Sequence, residues 1–251
     1  MIDLETKSGL PIKLDKNKQL MFSNKVNPVK VDIRTYSQIR EVLMQPYYSS
    51  KKTKFYFMYR NICLKEHQAT IANNGLRYDI TVIPGIKIGK EFNKTAGHFH
   101  ALVPKTNLTY TEVYEVLQGE CHYLLQKRDG SEFIIIKAKA GDKVVVPPNY
   151  AHVSVNPTNQ VLVSANWMAL ASKSNYSSIK NKKGLMYYYT DEGFIKNKNF
   201  KNHPEPKEAK PENISEFGLT KKPMYFTALD KLDFLKQPQN HLEIFKKLYK
   251  L

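Results

Sequence analysis

The feature that most constrains this chain is a train of eight short apolar segments. They are KFYFMYR (54–60), LRYDITVI (76–83), EVYEVLQG (112–119), CHYLLQK (121–127), EFIIIKA (132–138), KVVVPP (143–148), HVSVN (152–156) and VLVSANWMAL (161–170). They are short, rich in β-branched and aromatic residues, and several alternate with period two, which reads as strand rather than helix. Turn chemistry punctuates them at Pro84-Gly85, Asp129-Gly130, Gly141-Asp142, Pro147-Pro148-Asn149 and Asn156-Pro157. Many short strands at this spacing predict an all-β sandwich or barrel. GLMYYYTDEGFIK (184–196) adds a last hairpin around Glu192-Gly193.

On either side the texture changes. Residues 1–53 read as an irregular arm followed by a helix over 35–45, where Ile39, Val42 and Leu43 fall at helical spacing and Pro46 stops the run. Residues 196–213 are rich in Lys, Pro, Asn and Glu and read as an exposed linker. Beyond them ALDKLDFLKQ (228–237) and HLEIFKKLYKL (241–251) carry apolar residues at helical spacing and predict an α-helical tail that docks on the body or on a partner. The expected organisation is an arm and helix (1–53), a β domain (54–195), and a linker with a helical extension (196–251).

Charge and cysteine content limit the class of protein. The net charge is +16, which raises nucleic acid or anionic substrates as partners. Tyrosines interleave with basic residues in YYSSKKTKFYFMYR (47–60), but the lysines are scattered and no recognition-helix motif accompanies them, so a solvated face is the expectation and no nucleic acid is expected. No apolar run approaches a membrane span and no leader-like segment opens the sequence, so no membrane is expected. Cys63 and Cys121 show no pairing signature, consistent with buried small residues in a reducing cytoplasm.

The chemistry concentrates in TAGHFHALVPKTNLTYTEVYEVLQGE (95–120). On a strand, residues i and i+2 face the same way, so His98 and His100 can converge on one ion. Imidazole suits Zn, Fe, Ni and Mn alike. A carboxylate would extend the pair to a facial set, and Glu112, Glu115 and Glu120 all follow. Glu112 is the best placed, because the 101–111 loop can return the chain opposite the histidines. A fourth ligand has to come from elsewhere, and His152 stands at the start of another expected strand. Taken singly, each of these residues would as readily be an ordinary polar side chain. Their joint spacing is what argues for a metal site.

GHFH with Glu112 and Gly119, followed by AGDKVVVPPNYAHVSVN (140–156), resembles the two motifs of the cupin superfamily, a small antiparallel jelly roll with a metal inside the barrel. The interval from His100 to Glu112 is longer than usual for a cupin. The resemblance narrows on LRYDITVIPGIKIGKEFNKTAGHFH, TEVYEVLQGECHYLLQKRDG, AGDKVVVPPNYAHVSVNP and NWMA with NYSS, which are similar to the cupin-type glucose-6-phosphate isomerases of archaea and some bacteria. It covers roughly residues 54–202, and the tail after Pro204 has no counterpart in short family members.

This resemblance implies an all-β cupin jelly-roll core and interconversion of glucose 6-phosphate and fructose 6-phosphate, a step of glycolysis and gluconeogenesis. It implies one divalent ion per subunit (Fe²⁺, Mn²⁺, Zn²⁺ or Ni²⁺) on His98, His100, Glu112 and His152, and a homodimer. It also implies phosphate contacts at Thr81, Thr95 and the Gly97 backbone, Tyr114 and Tyr176 at the sugar, and Tyr56, which matches only across a gap. Hydroxyls and a glycine N–H suit a phosphoryl group, although threonines are ordinary in strands. Glu112 is the expected proton carrier, with Tyr114 beside it. Some family members carry His-Asp just before the residue matching Tyr176, and Ser174-Asn175 stand there instead. The alternatives are another phosphosugar such as mannose 6-phosphate, a non-catalytic sugar-binding cupin, and a charge-driven nucleic-acid binder.

Overall fold

The computed structural model describes residues 1–249. All eight apolar segments are strands. In chain order the strands that build the body are β1 (Val31–Thr35), β2 (Lys54–Tyr59), β3 (Leu76–Ile83), β4 (Phe99–His100), β5 (Glu112–Gln118), β6 (Glu120–Lys127), β7 (Phe133–Lys139), β8 (Lys143–Val146), β9 (Tyr150–Val155), β10 (Leu162–Ala169) and β11 (Lys207–Ala209). One sheet runs β8-β5-β10-β3-β2-β1 and the other β9-β6-β7-β11. From β5 onward the chain crosses between sheets: β5 in the first, β6 and β7 in the second, β8 in the first, β9 in the second, β10 in the first. This wrap of two sheets, antiparallel apart from the edge strand β11, is the expected jelly roll. The final hairpin also forms, with Tyr187–Thr190 paired to Gly193–Lys196.

Period-two alternation explains how both faces of the six-stranded sheet are used. In β3, Leu76, Tyr78, Ile80 and Val82 share one face, and Arg77, Asp79 and Thr81 share the other. The apolar face points away from the second sheet. With Val113, Leu117, Val163 and Trp167 it forms a core with the N-terminal arm (Leu4, Leu10, Ile12, Leu14) and the tail (Phe217, Met224, Leu232, Phe234, Leu235). A second core fills the space between the sheets, with Tyr123, Leu125, Val144 and Val146 among its members. The polar residues of β3 therefore face the interior of the roll.

The flanking segments differ in detail from their expected helices. The 35–45 stretch makes a single α turn, Tyr36–Ile39, entered by a capping contact from the Thr35 N–H to the Gln38 side chain, and then a 3₁₀ turn, Arg40–Val42. Strand pairing by β1 through Thr35 takes up the start of the segment. In the tail, the helical spacing is realised mostly as 3₁₀ turns, at Ser215–Phe217, Met224–Phe226, Leu229–Leu235 and Pro238–His241, with one α turn at Leu242–Phe245. Pro223, Pro238 and Gly218 cut the stretch into pieces too short to propagate an α-helix, and each turn instead delivers one to three apolar side chains to the interior. Lys250 and Leu251, the end of the expected helix, lie outside the described residues. Within the lysine-rich linker, Lys207–Ala209 adds a parallel edge strand to β7.

The tail is fixed by polar contacts as well as burial. The Met224 N–H donates to Glu115 Oε2 at 2.7 Å, Trp167 Nε1 donates to the Met224 carbonyl at 2.9 Å, and the Thr111 hydroxyl donates to the Phe234 carbonyl at 2.8 Å. Thr111 immediately precedes the inward-facing Glu112, and Glu115 lies three residues after it on β5. Both cysteines are free and buried. Among the described residues no helix is long and apolar enough to cross a membrane.

Candidate metal centre

Four side chains converge at one end of the roll. His98 forms a β-bridge with His152, whose N–H donates to the His98 carbonyl at 3.2 Å, and this contact joins the histidine segment to β9. His100 lies in β4, which pairs with Ser174–Asn175, and Glu112 comes from the opposite sheet at the start of β5. One ligand atom from each of His98, His100, Glu112 and His152 lies within 4.8 Å of all the others. Glu115 faces the other way, as alternation requires, and pairs with Lys143 at 2.8 Å, while Glu120 is exposed.

Gly97 allows the close approach that this convergence needs. Its φ is +76°, and a Cβ there would meet Val153 Cγ2 at 2.5 Å. The long loop between His100 and Glu112 also has a structural task. It folds on itself through the Val103 N–H and the Leu108 carbonyl, and Thr109 and Asn149 exchange two hydrogen bonds that pin it. The loop presents the Tyr110 carbonyl 3.0 Å from His100 Nδ1. A proton on Nδ1 satisfies that carbonyl and leaves Nε2 with a lone pair aimed at the centre.

The donor set fits a cation. His100 Nε2 and Glu112 Oε2 are buried and lack a hydrogen-bond partner, although they stand 3.2 Å apart. His152 Nε2 is 3.1 Å from the same carboxylate oxygen. Buried polar atoms left in this way are costly unless something else satisfies them. Three imidazoles and a carboxylate converging on one point accept a divalent transition ion. Burial, with the neighbouring imidazoles, holds His98 well below its usual range, so it is neutral and able to ligate. Burial alone would raise the Glu112 carboxyl, but the His100 and His152 imidazoles outweigh it and hold the group well below the carboxylate range.

Every sequence-predicted site residue borders the same cleft. Tyr56, Thr81, Thr95, Gly97, His98, Glu112, Tyr114, His152 and Tyr176 line it, and His100 closes the centre behind them. The Tyr114 hydroxyl is 3.0 Å from His152 Nε2, and burial together with the Glu112 charge raises its pKa well above the phenol value, so it is a donor. The Thr95 hydroxyl accepts the Ser154 N–H at 3.0 Å, which leaves its proton free to donate. The Tyr56 hydroxyl accepts the Ala96 N–H at 3.3 Å, and burial pushes its pKa up to about 12. The Tyr176 ring lies 5.2 Å from that of His98.

Sequence reasoning missed several residues. Asn166 of β10 donates to Glu112 Oε1 at 2.6 Å and so orients the carboxylate. Arg60, Arg77, Asp79, Met58, Met168 and Ser174 also line the cleft. The polar positions of LRYDITVI and the Asn within VLVSANWMAL were the available signal, since polar residues recurring inside an apolar strand must face something polar. Their partners were invisible because they arise from pairings such as Asp79 with Asn166 and Asn166 with Tyr114.

Comparison with known proteins gives a consistent picture. A family model described as glucose-6-phosphate isomerase matches residues 33–207. The glucose-6-phosphate isomerase of Thermococcus gammatolerans is 36% identical over 118 residues, covering 47% of this chain and 59% of that protein. The enzyme of Thermococcus kodakarensis is 33% identical, covering 48% and 61%, and that of Pyrococcus furiosus is 42% identical, covering 32% and 40%. The chain thus spans about 60% or less of the curated relatives it matches. Among solved structures, oxalate decarboxylase from Bacillus subtilis aligns at 16% identity with a TM-score of 0.34, over 48% of this chain and 28% of that one. A vicilin from Solanum lycopersicum aligns at 11% identity with a TM-score of 0.37, over 58% and 36%. At those scores neither bears on the chemistry, and the jelly roll stands on the strand order itself.

Proposed function

This chain belongs to the glucose-6-phosphate isomerase family, and on that premise we propose that it is a metal-dependent aldose–ketose isomerase interconverting glucose 6-phosphate and fructose 6-phosphate. The observation that carries the reading is the His98, His100, Glu112 and His152 cluster inside a cleft that also holds the phosphate and sugar candidates. Thr81 and Arg77 stand four residues apart on β3, about 13 Å along the strand, and Arg77 shares a register with Met168 and Glu112. The cleft therefore has the scale of an extended hexose phosphate, with Thr81, Thr95 and Gly97 at one end and Glu112 at the other.

A divalent ion held by the three histidines and Glu112 would act as a Lewis acid toward the oxygens at C1 and C2. The protein's own groups account for the proton movements. In the open-chain sugar, the Glu112 carboxylate takes the C2 proton as the Tyr114 phenol protonates O1, giving a cis-enediol of the substrate. It then returns the proton to C1 as the O2 hydroxyl gives its proton back to the Tyr114 oxygen. Asn166 keeps that carboxylate aimed, and the Tyr114 phenol donates to a substrate oxygen. Tyr176 and Tyr56 border the sugar, and the Thr95 hydroxyl, with its proton free, donates to the phosphate. Direct hydride transfer between C1 and C2 is the competing route, and an ionised Glu112 lining the cleft, held by Asn166, favours the proton route.

The division of the chain into an isomerase domain (54–195) with N-terminal and C-terminal additions, a homodimeric state and a cytoplasmic site of action all belong to this proposal. The division rests on the change in sequence texture, the cytoplasmic site on the lack of a cysteine pairing signature, and the homodimer on the family resemblance. Fe²⁺, Mn²⁺, Zn²⁺ and Ni²⁺ are each compatible with the donor set. Protein stripped by a chelator loses glucose-6-phosphate isomerase activity and regains it on addition of one of these ions. Full activity in protein shown by elemental analysis to be metal-free would end the reading. Inhibition by a panel of sugar phosphates separates glucose from mannose 6-phosphate.

A further inference from the structure

A dianionic phosphate needs positive charge as well as neutral donors, and Thr81, Thr95 and Gly97 supply none. Two guanidiniums line the cleft, but both are engaged. Arg60 holds Asp32 Oδ2 at 2.7 Å, and Arg77 holds Asp79 Oδ2 at 3.1 Å. Arg77 also stands at the Glu112 end, away from the threonines.

A third guanidinium is placed differently. Arg34 of β1 lies directly opposite Tyr56 of β2, so the two side chains share the face that borders the cleft. Its guanidinium carbon is 6.0 Å from the centre of the Tyr176 ring. Tyr56 carries the Ala96 N–H on its hydroxyl, between Thr95 and Gly97, and the Tyr176 ring lies tilted beside that of His98. Arg34 is thus bracketed by the two tyrosines at the Thr95–Gly97 edge. Its nearest carboxylate, Asp32, is 3.8 Å away, and the oxygen it faces is already taken by Arg60. The side chain is only 20% exposed, which strengthens its field, and its ion pair with Asp32 is long and shared with Arg60, which leaves charge to offer a ligand.

From this placement we propose that Arg34 is a substrate-binding residue that pairs with the phosphate and sets the preference for phosphorylated sugars. The inference rests on the isomerase reading above and deepens it. A planar fork of donors suits two phosphate oxygens at once, and a charge-assisted pair of this kind is among the stronger polar contacts in proteins.

The test compares wild-type, Arg34→Gln and Arg34→Lys proteins, all metal-loaded and matched for melting temperature. The readouts are KM and kcat for glucose 6-phosphate, the inhibition constant of inorganic phosphate, and kcat/KM for unphosphorylated glucose. For Arg34→Gln, KM and the phosphate inhibition constant rise together by about 10- to 100-fold. Over the same comparison kcat stays within about threefold and glucose turnover is unchanged. Arg34→Lys recovers part of the loss, because it keeps the charge but not the fork. KM and the phosphate constant both within twofold of wild type overturn the proposal. So does a fall in kcat with the phosphate constant unmoved, which would mean that Arg34 acts on the chemistry. A wild-type protein that binds phosphate but does not isomerise glucose 6-phosphate refutes the isomerase reading instead. In that case the phosphate constants of the variants still decide the role of Arg34.

Discussion

Replacing Asn166 with leucine isolates the contact that aims the proton carrier. Asn166 is buried at 4% exposure and its Nδ2 donates to Glu112 Oε1 at 2.6 Å. Hydrogen bonds to charged groups contribute roughly 1.5–3 kcal/mol, and leucine keeps the bulk while removing the donor. Glu112 Oε1 then joins Oε2 among buried oxygens without a partner, and the carboxylate is free to rotate away from His100 and His152. Loss of an outer contact to a metal ligand typically weakens metal affinity about 10- to 100-fold. The assay is competitive titration of metal-free protein with Zn²⁺ against a chromophoric chelator, followed by kcat at saturating metal. Expected are a tenfold or greater loss of affinity and, with metal restored, a further loss in kcat because the base is misaimed. Ser164→Ala, two residues away on the same strand, is the control. Its hydroxyl bonds Tyr123 at 2.7 Å, so it costs about 1 kcal/mol of stability and leaves Zn²⁺ binding alone. Folded Asn166→Leu protein that binds Zn²⁺ within twofold of wild type would refute the orienting role.

Two stability predictions follow from buried ionisable groups. Lys143→Met strands Glu115, which is 2% exposed and bonded to Lys143 Nζ at 2.8 Å. Denaturant unfolding should show a loss of about 3–5 kcal/mol, largely recovered in the Lys143→Met/Glu115→Leu double variant, and purely additive losses would contradict the pairing. His122, mostly buried against the Tyr189 ring, is held down to about 4 by burial and by Lys137. The folded state keeps it neutral while the unfolded chain protonates it near pH 6.5, so its contribution is present above that pH and is lost as pH falls toward 4. His122→Phe should flatten the acid-side decline of stability by roughly 2–3 kcal/mol, and an unchanged pH profile would remove His122 from the account.

The local pattern of this chain carried much of its structure. Turn residues and short β-rich runs marked all eight central strands, because strand length and turn chemistry are properties of neighbouring residues. His98 and His100 could be paired from a strand's period of two, and the joint motif drew in Glu112 and His152. The long loop after His100 was visible only as an excess of residues. Its task, presenting the Tyr110 carbonyl to His100 Nδ1, depends on Asn149 from a distant turn. The tail's spacing promised α-helix, but spacing does not weigh the prolines and Gly218 against the need to seat Phe217, Met224 and Phe234 on an existing surface.

By itself, the sequence determined that LRYDITVI has one apolar and one polar face. It could not say which faces the interior, since period two is symmetric under exchange of the two sides. The tertiary structure decided this: the arm and tail cover the apolar face, so Arg77, Asp79 and Thr81 turn into the cleft with Asn166 and Glu112. Strand register then placed Asn166 on Glu112 and Arg34 beside Tyr56. Those neighbours are set by hydrogen bonds between strands far apart in the chain, where short-range spacing holds no information.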